Sequence, residues 1–209
     1  MMLGIANGKG GVGKTLTAIH LTTFLARLKP TLLIDSDNVK ASTNWSARGG
    51  HKLPFKVVWY EQLAKTILET TYSHFVFDTK GGISEDDLRT LADGCDLLVI
   101  PTTPDPTATD GLLYTLRQLS GKNGKPPVTN YRVLINRVEH NRPREAAELR
   151  AALVSSRTPV FDVEIPELAA FSKASGQGIP VSEVNDERAA RAWAAFEALG
   201  KEIINGRKG

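Results

Sequence analysis

Cysteine occurs once in the 209 residues, at Cys95, so no intramolecular disulfide can form and the chain suits a reducing compartment. The four histidines (His20, His51, His74 and His140) are scattered. With a single cysteine they supply no metal-ligand spacing, which argues against structural zinc and iron–sulfur clusters. Long hydrophobic runs are also missing. Leu97-Leu98-Val99-Ile100 is typical of the longest, against the roughly 18 apolar residues that a membrane-spanning helix needs. No basic segment followed by an apolar stretch opens the chain, so a secretory leader is not expected. A soluble, cytoplasmic protein is the expectation.

What is present is ordinary for a globular chain: 41% hydrophobic and 23% charged residues. At roughly 100–200 residues per domain, the length predicts a single domain spanning residues 1–209. The formal net charge of +3 permits binding to nucleic acid or to an anionic surface without requiring either.

Short apolar runs alternate with amphipathic stretches along the chain. The runs predict strands at Met2–Ala6, Thr31–Asp35, Phe55–Trp59, Phe75–Asp78, Leu97–Pro101 and Tyr131–Asn136, with a shorter one near Val160–Val163. The amphipathic stretches predict helices over Lys14–Leu28, Asn38–Ala47, Tyr60–Thr70, Glu85–Asp93, Thr107–Ser120, Arg142–Ser155 and about Glu187–Ile204. In the last of these, Ala190, Trp193, Phe196, Leu199 and Ile203 share a side that should pack on the sheet. Uniformly apolar strands are buried on both faces, as in a parallel sheet between helix layers. The fold class is therefore α/β: a doubly wound, mostly parallel sheet. Gly121–Pro127 reads as a basic Gly/Pro-rich loop, and Pro101–Pro106 as a rigid loop at a strand's C-terminal end.

One motif carries specific chemistry. Gly8-Lys9-Gly10-Gly11-Val12-Gly13-Lys14-Thr15 fits G-x-x-x-x-G-K-[ST], follows a predicted strand and opens a predicted helix. Its glycines let the backbone curl until successive N–H groups point at phosphate oxygens. The helix behind adds about half a positive charge at its N-terminus. Lys14 is placed to neutralise β/γ-phosphates and the Thr15 hydroxyl to ligate Mg²⁺. Lys9 is not needed to cradle phosphates of its own chain. It is either a solvated loop lysine or a group that reaches a neighbouring subunit's phosphate, as an arginine finger does.

With that second lysine, Lys9–Thr15 resembles the deviant Walker A motif of the ParA/MinD ATPases, relatives of the nitrogenase iron protein. The resemblance continues through Leu32–Asp37, a strand ending in D-x-D, and through Phe75–Thr79, similar to the family's Walker B strand. Leu98–Pro106, Leu134–Arg137, Ile165-Pro166 and Gly178–Val181 match its later segments. Chain length, Thr43-Asn44-Trp45-Ser46 and the proline-rich stretch look most like the compact ParF-type plasmid partition ATPases. The resemblance implies ATP and Mg²⁺ as cofactors, a P-loop ATPase fold, and slow, partner-stimulated hydrolysis. It also implies that the signature lysine, Lys9, acts across an ATP sandwich dimer. Asn136 and the Ile165-Pro166-Glu167 segment are implied to flank the adenine, and Leu16 falls within the nucleotide-binding loop.

Residues two apart on a strand share a face, so Asp35 and Asp37 can both approach the loop. The resemblance assigns Asp37 to the attacking water and Asp35, with Asp78, to the metal's outer shell. The competing reading makes one of the pair a cap for the next helix, near Asn38–Lys40. Three positions depart from the family pattern: Leu16 for a second threonine, Asn38 for a proline after D-x-D, and Lys80 for a small or acidic residue after Asp78-Thr79.

For DNA, the family's late basic residues correspond to Arg188 and Arg191, with Lys173, Lys201, Arg207 and Lys208 as further contributors. Their phosphate contacts would be independent of sequence. The leading expectation is a partition ATPase on the nucleoid: an ATP-bound homodimer on non-specific DNA, stimulated by a ParB-like centromere-binding adaptor, with no membrane involved. The alternatives are a MinD-like membrane-cycling division-site ATPase, a relative that positions another cellular cargo, and a small-molecule ligase or kinase on the same fold.

Overall fold

A computed structural model of the protein describes residues 1–121 and 125–206. Within these residues six strands form one sheet: β1 (Met2–Ile5), β2 (Thr31–Ser36), β3 (Lys56–Trp59), β4 (His74–Thr79), β5 (Leu97–Thr102) and β6 (Tyr131–Ile135). All pairings are parallel, in the order β3-β2-β4-β1-β5-β6. Among the described residues, eight α-helices connect and follow them: α1 (Lys14–Ala26), α2 (Ala41–Arg48), α3 (Leu63–Glu69), α4 (Glu85–Gly94), α5 (Pro106–Leu119), α6 (Pro143–Ser155), α7 (Ala169–Gln177) and α8 (Ala189–Asn205). From β1 the chain runs outward to β2 and β3, returns as β4, then crosses to β5 and β6. The order reverses at β1, and the crevice beyond its carboxyl end is where open α/β sheets bind ligands.

The period-2 alternation of the strands sorts the core into two faces. Leu3, Ile5, Leu33, Val76, Val99 and Leu134 bury against α1, α7 and α8, together with Phe24, Phe171, Phe196 and Leu199. Leu98, Ile100, Val133 and Ile135 pack on the opposite face against Leu88, Leu112, Leu149 and Leu153. A separate small cluster (Leu32, Ile34 and Val58) lies under Leu63 and Tyr72 at the β3 edge. On α8, Trp193, Phe196, Leu199 and Ile203 are buried as expected, whereas Ala190 is exposed and Ala189 and Ala192 face the core in its place.

Differences from the sequence expectation have local causes. Val160–Val163 forms no strand; one parallel bridge joins Val160 to Val133. The carbonyls of Phe161 and Asp162 accept from the Arg150 guanidinium, at 2.8 and 3.2 Å, so a side chain takes the place of a ladder. The stretch expected as one helix from Tyr60 breaks into a 3₁₀ turn, Tyr60–Gln62, followed by α3. The second expected helix starts three residues late, at Ala41, because Asp37–Val39 is held in a turn: Asp37 Oδ1 accepts from the Val39 N–H at 3.0 Å. Helix α7 is not anticipated in the sequence reading. Part of the Gly121–Pro127 loop lies outside the described residues, as do Arg207 and Lys208.

Candidate nucleotide site

Residues 8–13 join β1 to α1 in a loop whose conformation depends on glycine. Gly11 and Gly13 have φ of +81° and +91°, a region that side chains with a Cβ avoid. A Cβ at Gly13 would also collide with the Asn136 amide. Among the described helices, α4 and α5 start on side-chain caps. On α4, for example, Ser84 Oγ accepts from the Asp87 N–H, and three acidic residues occupy the first turn. Helix α1 has no side-chain cap and no acidic residue in its first turn. Its N–H groups and dipole are thus left for an anion.

The side chains at this helix end are mutually engaged. Lys14 is buried, and its Nζ donates to the Lys9 carbonyl at 2.8 Å. Burial lowers its pKa, while the nearby carboxylates of Asp78 and Asp37 act to raise it. Asp78, at the end of β4, is fully buried, and its Oδ2 accepts from Ser42 Oγ at 2.7 Å. Desolvation pushes the Asp78 carboxyl up to about 7, against the Ser42 and Thr15 hydroxyls that hold it down. Its Oδ1 has no hydrogen-bond partner among the described residues. A buried acceptor without a donor is costly, and the Thr15 hydroxyl acts on the same carboxyl group. That combination fits a hydrated Mg²⁺, which typically takes one or two protein oxygens and completes its shell with phosphates and water. No cluster of three or more His, Cys, Asp or Glu residues suited to a metal occurs among the described residues. Any ion bound here therefore depends on a polyphosphate for most of its ligands.

Asp35 on β2 and Asp37 just beyond its end are held differently. Asp35 is fully buried; its Oδ2 accepts from both the N–H and the Oγ1 of Thr43 at 2.8 Å, and its Oδ1 accepts from the Asp37 N–H at 3.1 Å. Asp35 acts as a cap on the first turn of α2 through Oδ2 alone, while its Oδ1 holds the turn before it. Asp35 and Asp78 are register neighbours on β2 and β4. Asp37 is half-buried, and one of its oxygens accepts from Val39.

Lys9 is exposed, with its stem packed on Gly111 of α5, while its N–H donates to Asn7 Oδ1 at 2.9 Å. Leu16 is half-buried and packs against the core. Asn136 is fully buried, and its Nδ2 donates to the Val12 carbonyl at 3.0 Å. It supports the loop from beneath and has no exposed surface for a base. Pro166, half-buried, bridges Val138 in the segment after β6.

Three loop partners escaped the sequence reading. The Gly8 N–H donates to Thr115 Oγ1 at 3.1 Å. Buried Asn7 donates to the Pro101 carbonyl at 2.8 Å. Arg137 donates to the Gly11 carbonyl at 3.3 Å while making a two-pronged pair with Glu167. Lys80–Ile83 forms a strap over the loop: the Gly82 N–H donates to the Gly8 carbonyl at 2.8 Å, and Gly81 packs on Gly10.

This loop, strand and helix match the model of the CobQ/CobB/MinD/ParA nucleotide-binding domain over residues 3–181. The chain belongs to that family. A maintenance of carboxysome distribution protein A from Gloeobacter kilaueensis is 30% identical over 207 residues, covering 97% of this chain and 93% of the relative. The MinD cell division protein of Aquifex aeolicus has the same fold, with a TM-score of 0.71 and 18% identity, covering 98% of this chain and 96% of that one. A plasmid partition protein from Borrelia burgdorferi, solved with AMPPNP, gives 0.69 and 20% over 98% of each chain. The expected ParA/MinD membership is correct; the narrower ParF-type resemblance is not borne out by these relatives.

The basic residues implied for DNA in this family member are dispersed in their pairing. Lys173 Nζ lies 2.6 Å from Asp186 Oδ2, and Arg188 Nε lies 3.7 Å from Glu187. Exposed Arg191 borders a cleft that also contains Glu139, Glu164 and Glu167. No helix among the described residues is long and apolar enough to cross a membrane.

Proposed function

We propose that the chain is an ATP-hydrolysing positioning protein. Mg-ATP closes two copies face to face, the closed dimer holds DNA without sequence preference, and an adaptor carried by the cargo stimulates hydrolysis. The observation that carries this reading is the cluster at the open end of α1: buried Lys14, the Thr15 hydroxyl and the unpartnered Oδ1 of Asp78. Such a site is built for a polyphosphate with its metal. In this scheme residues 8–16 wrap the phosphates with backbone N–H groups, and Lys14 moves from the Lys9 carbonyl to the β/γ-phosphates. Thr15 would ligate Mg²⁺ and Asp78 would act on it through water; when bound, the ion would neutralise charge on the phosphates. Asp37 orients the attacking water. Exposed Lys9 reaches the partner copy's phosphates. Pro166 supports the base, and Asn136 acts through the loop it braces.

For the cargo, the 30% identical relative favours a protein body such as a carboxysome over a plasmid or chromosome. The adaptor is then a protein of that body and not a centromere-binding one, while the nucleoid serves as the track.

The test is Asp37→Ala beside the wild type. Wild type should scatter more light with Mg-ATP than with ADP as dimers form. The variant should still bind ATP and dimerise while releasing phosphate roughly a hundredfold more slowly, or slower still, within the range that positioning of a proton-transferring group supplies. Normal hydrolysis would remove Asp37 from the role, and a wild type that ignores ATP would overturn the whole reading.

A further inference from the structure

The face of the sheet that carries α4 is covered unevenly. Ile34, Phe77, Gly4 and Leu98 are register neighbours across β2, β4, β1 and β5. Leu98 lies under α4 and α5, and Ile34 lies under α3, in separate clusters. Helix α3 has only seven residues, and between it and α4 a furrow of about 410 Å³ remains, with half-buried Phe77 on its floor. Gly4 contributes no side chain there, and Leu91 leans over it. Ile83 and Leu91 form one wall, exposed Tyr60 stands on the other, and Cys95 closes one end. The volume lies in the range of small-molecule sites, which are apolar with a few placed polar groups.

The polar groups here are particular. Lys80, the residue that departs from the family pattern after Asp78-Thr79, lines this furrow; it is half-buried and forms no ion pair among the described residues. Asp87 faces the same space from the first turn of α4, exposed and likewise unpaired among those residues. A half-buried ammonium above an aromatic and aliphatic floor attracts an anion whose body is apolar. Asp87 disfavours a second negative charge on that ligand.

We propose that this furrow binds an amphipathic monoanion: a single carboxylate on Lys80, with an apolar chain or ring against Phe77, Ile83 and Leu91. Lys80 and Ile83 are the two ends of the strap whose Gly82 N–H donates to the Gly8 carbonyl. Occupancy is therefore linked to the nucleotide loop, and by linkage ATP must alter the ligand's affinity by the factor with which the ligand alters that of ATP.

The experiment uses the full chain without nucleotide, with 8-anilinonaphthalene-1-sulfonate as fluorescent probe, dodecanoate as competitor, and dodecanol as the uncharged control. Dodecanoate should displace the probe at least tenfold more strongly than dodecanol. Lys80→Met should weaken probe and dodecanoate by about tenfold or more, the loss of one charge-assisted contact, and leave dodecanol unchanged. Asp87→Asn should tighten both anions at low salt, and Thr90→Trp, which fills the furrow from an exposed position, should abolish binding. Matching thermal midpoints across the variants establish that each is folded. Probe binding indifferent to Lys80→Met and Thr90→Trp would overturn the site. A dodecanoate affinity unchanged by Mg-ATP, in a protein that binds ATP, would overturn the coupling while leaving the nucleotide reading intact.

Discussion

The side-chain amide of Asn136 donates to the carbonyl of Val12 at 3.0 Å, across 124 positions of sequence. It thereby fixes the phosphate loop from the end of β6. Its own Oδ1 accepts from the Arg137 N–H at 2.9 Å, so both ends of the amide are used. Asn136→Ala leaves a buried carbonyl and a backbone N–H unpaired, at a cost of about 1–3 kcal/mol each before relaxation. Urea unfolding should show a loss of that order, and ATP affinity should fall as well, because the loop below Gly13 loses its support. Unchanged stability would mean that water replaces the amide.

Lys14 and Lys9 should separate binding from assembly. Saturating Mg-ATP at about a hundred times its dissociation constant stabilises a folded protein by roughly 2.7 kcal/mol. Lys14→Ala should lose this ATP-dependent rise in thermal midpoint while folding normally without nucleotide. Lys9→Ala should keep appreciable ATP affinity, since its exposed side chain packs on Gly111 and not over its own loop, yet lose dimerisation and stimulated hydrolysis. An ATP dimer of normal stability in that variant would return Lys9 to a solvated loop charge.

His20 should make stability depend on pH. Its ring is fully buried against Phe196, Trp45 and Phe171. Nδ1 donates to the Leu16 carbonyl at 2.7 Å, and Nε2 accepts from the Val181 N–H at 3.0 Å, which selects the neutral ring. Burial lowers its pKa from 6.5 to about 4. Between those values the unfolded chain binds the extra proton, so the contribution is complete above pH 6.5 and is lost as pH falls toward 4. At about 1.4 kcal/mol per unit, the loss across that window is roughly 3 kcal/mol. Urea midpoints from pH 7.5 to 4.5 should fall less steeply in His20→Gln than in wild type. Parallel slopes would assign the acid sensitivity to other groups.

Much of this was legible locally. The six strands follow from apolar runs bounded by breakers, and the phosphate loop from glycine, lysine and threonine spacing. What the sequence hid is long-range or compensated. Thr115 meets Gly8 across 107 positions, and no local pattern announces that an α5 hydroxyl serves the loop. Asn7 was accessible in principle, as a polar residue ending an apolar strand beside the glycines. Helix α7 was hidden by its Gly- and Ser-rich stretch; its signals are Phe171 buried in the core and Gly178 at the C-terminal cap with φ of +70°. Asp35 and Asp37 are equivalent by spacing, and only the position of Thr43 over Asp35 decides which one caps α2.

In the proposed positioning cycle DNA binding is the step on which the rest turns, and the pairing of the basic residues ranks them. Lys173 is already neutralised by Asp186 at 2.6 Å, so Lys173→Ala should change DNA affinity little. Arg188 sits 3.7 Å from an exposed glutamate, a contact that salt and water weaken, and Arg191 is exposed; both are available to phosphates. In an ATP dimer the two arginines of each copy supply up to about four contacts, each worth a slope of roughly −0.9 in log affinity against log salt. Arg188→Ala with Arg191→Ala should therefore flatten the salt slope by as much as about 3.6. Affinity should fall alike on unrelated sequences, with ATP-driven dimerisation intact. Fluorescence anisotropy of two unrelated duplexes over a salt series, with ATP, ADP and no nucleotide, measures all of this. Binding that is equal with and without ATP would detach DNA from the cycle. No binding at low salt, together with ATP-dependent capture by anionic vesicles, would replace the nucleoid with a membrane as the track.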